Sequence, residues 1–157
     1  MIKIGNKAPA FKLNNQNDET ICLSDFKGHW IILYFYPKDD TPGCTVEACE
    51  FTTGVGRFRR SNSVVFGCSA DSLESHRRFI KKHNLRVTLL SDPNHVVMEK
   101  YGAWGEKKLY GKTRIGVIRS TVLINPSGKV AHCWRSVKAA GHAEKVYEKL
   151  QELRDKS

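Results

Sequence analysis

No run of 18 apolar residues occurs in the chain, so no segment is long enough to cross a membrane as a helix. The opening Met1-Ile-Lys-Ile-Gly5 leads into no apolar stretch of the kind an export signal carries. Gly-x-Gly-x-x-Gly is absent, which removes the usual cradle for a dinucleotide at a helix start. Cys-x-x-Cys is absent as well, which argues against a thioredoxin-like disulfide oxidoreductase. The six histidines are scattered, and none joins a cysteine pair at zinc spacing. Nothing calls for a metal or an organic cofactor. Aromatic residues are sparse among the basic segments Arg57-Phe-Arg-Arg60, His76-Arg-Arg78 and Lys81-Lys82. Those segments therefore offer little platform for stacking bases and read as solvated helix faces, despite a net charge of +10.

At 157 residues the chain fits a single domain over 1–157. A domain of this size buries roughly 68–70% of its unfolded surface and needs no disulfide staples. Five cysteines is an odd number, and most sit inside apolar runs, which points to a reducing compartment, the cytoplasm. Cys22 and Cys68 read as core residues, and Cys133 as core or edge packing.

Hydrophobic periodicity orders the elements. Residues 11–13 and 20–23 predict an N-terminal hairpin around the turn-rich Asn14–Asp18 stretch, followed by a short helical turn at Ser24-Asp25-Phe26. Strands are expected at 31–36, 64–68 and 87–90. Helices are expected from Thr41 to about 58, from Asp71 or Ser72 to about 83, from Asp92-Pro93 to Gly102, and over 141–153. Residues 103–116 read as a long glycine-bearing loop, in which Trp104 and Tyr110 either form a hydrophobic collar or serve as packing residues. A hairpin follows, with strands at 116–124 and 129–135 across Asn125-Pro-Ser-Gly128. Strands alternating with helices imply an α/β protein with a central mixed sheet covered by helices on both faces.

The most informative stretch runs from residue 30 to 49. A continuous apolar run at 31–36 predicts a buried strand, which Pro37 stops. Thr41-Pro42 then looks like a helix start, with a hydroxyl cap and proline at the first helical position. Cys44 falls in the first turn, where backbone N–H groups lack partners and the helix dipole favours an anion such as a thiolate. Cys49 lies five residues further along the same helix.

Pro37-x-x-x-Thr41-x-x-Cys44, with Cys49 at this spacing, resembles the active-site signature of peroxiredoxins of the bacterioferritin-comigratory-protein, or PrxQ, class. Ser91-Asp92-Pro93, Tyr101-Gly-Ala-Trp-Gly-Glu-Lys107, Gly111-Lys112 and Arg119-Ser-Thr-Val-Leu-Ile124 resemble the same class. The resemblance runs from about residue 5 to 150. It implies a thioredoxin fold with peroxiredoxin insertions and a thiol peroxidase acting on hydrogen peroxide and organic hydroperoxides. Cys44 would be the peroxidatic residue, with Pro37, Thr41, Gly43 and Arg119 holding the peroxide. Cys49 would resolve the sulfenic acid as an intramolecular disulfide, with Cys133 kept as an alternative thiol. Thioredoxin is the implied reductant, glutaredoxin or glutathione the alternatives, and the enzyme would act as a monomer. A peroxide redox sensor is the remaining alternative function.

Two chemical points bear on that expectation. Acidifying a thiol by about three pKa units raises its thiolate fraction roughly thirtyfold at pH 7 but costs about twentyfold in nucleophilicity. Acidity alone therefore makes no fast peroxidase, and donors must also stabilise charge on the leaving oxygen. Arg119 would be a fixed cation there and Thr41 a hydroxyl that can donate and accept at once; Glu47 would either orient an arginine or a backbone group, or stand exposed on the helix. The second point is geometric. Five residues along an intact helix set two Cα atoms about 8.7 Å apart on faces roughly 140° different, outside the ~4.4–6.8 Å of a disulfide. Residues 41–50 would have to unwind before Cys44 and Cys49 can join.

Overall fold

The central strand explains the layering. In the computed structural model, which describes residues 2–156, β3 (Trp30–Phe35) is buried along its whole length. Trp30, Ile32 and Tyr34 face one core, while Ile31, Leu33 and Phe35 face the other. A strand buried on both sides has no polar face, hence its unbroken apolar run.

Around it lie β1 (Lys12–Asn15), β2 (Thr20–Cys22), β4 (Ser63–Ser69), β5 (Thr88–Ser91), β8 (Ser120–Ile124) and β9 (Val130–Trp134). They form one seven-stranded sheet in the order β2-β1-β5-β4-β3-β8-β9. β3, β4 and β5 are parallel; β1, β8 and β9 pair antiparallel, so the sheet is mixed as expected. Helices α1 (Pro42–Arg60) and α2 (Leu73–His83) are the crossovers between the parallel strands. They share one face with α4 (His142–Asp155), through Phe51 and Phe58, Phe79, and Val146 and Leu150. Helix α3 (Val96–Lys100) covers the other face with Val97 and Met98. The N-terminal hairpin and the short helical turn at Leu23–Phe26 form as the sequence implies.

Three expectations need correction. Residues 103–116 are not a loop: β6 (Trp104–Leu109) and β7 (Lys112–Val117) make a separate two-stranded ribbon. Its turn, Tyr110-Gly111, has φ of 53° and 77°, the two positive values that a tight primed hairpin turn demands. Trp104 stacks on His95 at 3.6 Å, and Tyr110 is 96% exposed at the tip, so they form no collar. The predicted strand 116–124 is in fact broken. Gly116 and Val117 belong to β7, and Ile118 donates its amide to the Ala103 carbonyl, which leaves Arg119 in the gap before β8. The helix expected from Asp92-Pro93 starts only at Val96, because His95 is left-handed (φ 62°) and the Asp92 carboxylate takes the Met98 amide across the turn.

One close approach fixes the core beside the cysteine helix. The Tyr34 ring stacks on Phe51, centroids 4.7 Å apart, and lies over Gly67 of the neighbouring strand. A Cβ at Gly67 would sit 2.6 Å from Tyr34 Cζ, so only glycine fits.

Candidate active site

The end of β3, the loop 36–41 and the first turn of α1 deliver Cys44 to the α1 side of the sheet, where it is 1% exposed. Proline at the first helical position is pre-set for the helix and needs no N–H partner. The cap itself differs from expectation. Thr41 has extended backbone, but its hydroxyl donates to the Lys38 carbonyl at 2.9 Å and caps no helix amide. The first-turn amides are thereby left without a side-chain acceptor, close to the sulfur.

Arg119 reaches this turn from 75 residues away in sequence. Its Nη2 donates to Cys44 Sγ at 3.1 Å, and its Nη1 to Glu47 Oε1 at 2.6 Å. One guanidinium thus bridges the sulfur and a carboxylate on the same helix, using the planar fork that distinguishes arginine from lysine. The backbone holds it there, since the Val137 amide donates to the Arg119 carbonyl at 2.9 Å. Gly43 makes room: a Cβ there would meet Nη2 at 3.2 Å. Burial lowers the pKa of the guanidinium, but the charges of Glu47 and Cys44 outweigh that and raise it.

Glu47 is not exposed on the helix but fully buried, and it binds Arg119, as the orienting role requires. Burial pushes its carboxyl up to about 7, with the arginine only partly opposing the shift. Its Oε2 has no hydrogen-bond partner among the described residues, which is the structural face of that cost.

The other predicted positions divide clearly. Pro37 is half-buried just past the strand. Cys49 is half-buried on α1 and packs against the core; like the other four cysteines it is unpaired. The helix is continuous from Pro42 to Arg60, so this is the helical, thiol form. Cys68 is fully buried in β4, with burial pushing its thiol well up, as a core residue should be. Cys133 lies half-buried in β9 opposite Val122, on the other core from Cys44. Among the described residues no group of three or more His, Cys, Asp or Glu is placed to hold a metal.

Two residues near the site escaped sequence reasoning. Asp39 and His76 form a buried pair beneath the loop, Nδ1 to Oδ2 2.7 Å. His76 was grouped with the basic face of α2, yet it is fully buried. The signal was its spacing with Leu73, Phe79 and Ile80, which puts it in the apolar stripe.

Comparison with known proteins agrees with this geometry. The AhpC/TSA family model matches residues 4–133. Peroxiredoxin Bcp of Bacillus subtilis is 47% identical over 156 residues, covering 99% of this chain and 98% of that one. Peroxiredoxin Bcp of Escherichia coli is 41% identical, covering 96% and 97%. A mutant PrxQ of Xylella fastidiosa superposes with a TM-score of 0.92 at 35% identity, over 98% of both chains. The bacterioferritin comigratory protein of Xanthomonas campestris, solved in work on its alkyl peroxide reduction activity, gives a TM-score of 0.89 at 35% identity, over 96% of this chain and 98% of that one. These relatives carry the thioredoxin-like fold of peroxiredoxins, and with a sulfur and a guanidinium meeting at the start of its first crossover helix, this chain belongs to the AhpC/TSA family, as a peroxiredoxin of the Bcp/PrxQ class.

Proposed function

We propose that Cys44 is the peroxidatic residue of a thiol peroxidase that reduces hydrogen peroxide and organic hydroperoxides, the alkyl peroxides among them. The observation that carries this reading is the 3.1 Å contact between Arg119 Nη2 and Cys44 Sγ, in the first turn of a helix. The thiolate attacks the terminal peroxide oxygen, the O–O bond breaks, and the alcohol or water leaves with the peroxide proton; the sulfenate left on Cys44 takes one proton from solvent to become the sulfenic acid. Arg119 and the amides of Gly43 and Cys44 face the charge that moves onto the leaving oxygen. Thr41 uses its hydroxyl hydrogen on Lys38, so it meets the peroxide as an acceptor, and Pro37 keeps water from the sulfur. Glu47 holds the guanidinium in place.

The sulfenic acid on Cys44 then condenses with the Cys49 thiol, forming an S–S bond and releasing water. The first turns of α1 must unwind for this, and the helix is built for it. Gly43, Thr45 and Val46 are poor helix formers, and the Thr45 hydroxyl bonds back to the Thr41 carbonyl at 2.8 Å, a contact that loosens helices. A dithiol protein of the thioredoxin type exchanges with the disulfide and restores both thiols. The chain acts as a single domain and as a monomer; with both sulfurs on one helix, the disulfide needs no second copy. Five unpaired cysteines suit the cytoplasm.

The test is NADPH oxidation coupled through thioredoxin reductase and thioredoxin to hydrogen peroxide or an alkyl hydroperoxide. Cys44→Ser is expected to abolish turnover, and Cys49→Ser to allow one thiol oxidation without thioredoxin-driven cycling. Full activity in Cys44→Ser would overturn the assignment.

A further inference from the structure

The loop between β3 and α1 is tied to α2 and to the turn before it at its β3 end. Tyr36 donates its hydroxyl to Asp39 Oδ1 at 2.6 Å. Asp39 Oδ2 accepts from Ser75 Oγ at 2.8 Å and contacts His76 Nδ1 at 2.7 Å. His76 Nε2 faces the Leu90 carbonyl at 3.0 Å, an obligate acceptor, so that nitrogen carries a proton. Every polar side-chain atom of the pair is thereby engaged. The Asp39 amide donates to Asp71 Oδ2 at 2.8 Å, and that oxygen also accepts from Ser69 Oγ at 2.7 Å. Asp40, left-handed at φ 60°, pairs with Lys82 and His83 of α2. Residues 36–40 are thus held by side chains of α2 and by Asp71 in the turn between β4 and α2, none of which belongs to the helix that carries Cys44. From Thr41 to Glu50 the ties beyond α1 itself are the Thr41 hydroxyl on the Lys38 carbonyl, the Arg119 contacts to Cys44 and Glu47, and the Gly141 amide on Glu50; none of them reaches α2.

We propose that Asp39 and His76 are positioning residues: their buried contact latches residues 36–40 to α2 and confines the redox change to the chain beyond Thr41. The latch sets where unwinding stops, and it gives the first turn of α1 a fixed edge from which to re-form around the peroxide after each reduction. This rests on the Cys44–Cys49 reading proposed above. A fully satisfied buried network of this kind has one low-energy arrangement, which is what a repeatedly melting segment needs beside it.

Two measurements test it. In hydrogen exchange of the unaltered protein, oxidation with one equivalent of hydrogen peroxide is expected to speed the amides of 41–50 at least tenfold, while those of Tyr36 and Asp39 stay slow. Equal acceleration of Tyr36 and Asp39 would overturn the latch. The second measurement uses the Cys49→Ser background, where only the first step with hydrogen peroxide is read by stopped flow. Asp39→Asn there is expected to slow that step about tenfold. In the chain that keeps Cys49, the same substitution is expected to leave disulfide closure as fast or faster. A mere loss of global stability would not split the two rates, and a first step within twofold of the parent contradicts the proposal. If Asp39→Asn does not fold, the exchange result decides. A disulfide mapped to a cysteine other than Cys49 would sink the underlying reading, whereas the stopped-flow arm judges the latch without Cys49.

Discussion

Glu47→Gln separates what the buried carboxylate costs from what it does. Glu47 is fully buried, and burial lifts its carboxyl from 4.5 to about 7. Because the folded value is the higher one, the folded protein keeps a proton that the unfolded chain has released between about pH 4.5 and 7. Stability therefore falls as pH rises through that window, and the penalty is complete above it. At 1.36 kcal/mol per pKa unit the penalty is about 3 kcal/mol. Glutamine does not titrate, so the variant lacks this slope. Urea denaturation under reducing conditions, at pH 4.5, 6 and 7.5, is expected to show the variant gaining about 3 kcal/mol on the parent across the series. The rate of peroxide attack should move the other way. A neutral amide grips Arg119 about half as strongly as a carboxylate, a loss near 1.4 kcal/mol, or roughly tenfold in rate. Parallel stability curves, within about 0.5 kcal/mol at every pH, would refute the reasoning, since they would mean that no proton is taken up at Glu47 on folding.

Other substitutions probe the same site from different sides. Arg119→Met removes the charged donor at the sulfur and is expected to cut kcat/KM for hydrogen peroxide by about 10²–10³, on the scale of losing one oxyanion donor. Gly43→Ala leaves every reacting group in place but puts a methyl 3.2 Å from Arg119 Nη2; about a tenfold loss in peroxide rate with an unchanged melting temperature is expected. Gly67→Ala forces a Cβ to 2.6 Å from Tyr34 Cζ, so calorimetry should show a loss of about 1–3 kcal/mol or more from overpacking.

The parts legible in the sequence were those with a local physical signal. The apolar run of β3, the Thr-Pro helix start and the odd cysteine count each spoke through neighbouring residues. Arg119 was different: nothing within its own segment says that it reaches Cys44, and only the resemblance to a family placed it there. The β6–β7 ribbon was missed because its strands are polar and lysine-rich, with little burial to impose alternation, and its turn is a two-residue Tyr-Gly. The Asp39–His76 pair was missed because a histidine among arginines resembles a solvated face, and its partner sits 37 residues away in a turn that looks merely polar. Thr41 shows the limit of motif reading. Its backbone takes the cap position, but whether its hydroxyl turns to the helix or to Lys38 is decided by the shape of a loop fastened elsewhere.

The most direct test of the central claim is peptide mapping by mass spectrometry after the reduced protein meets one equivalent of hydrogen peroxide. The account predicts a single new bond, Cys44 to Cys49, with Cys22, Cys68 and Cys133 still thiols, and in Cys49→Ser a sulfenic acid trapped on Cys44 alone. Oxidation first appearing at another cysteine, with Cys44 left intact, would contradict it.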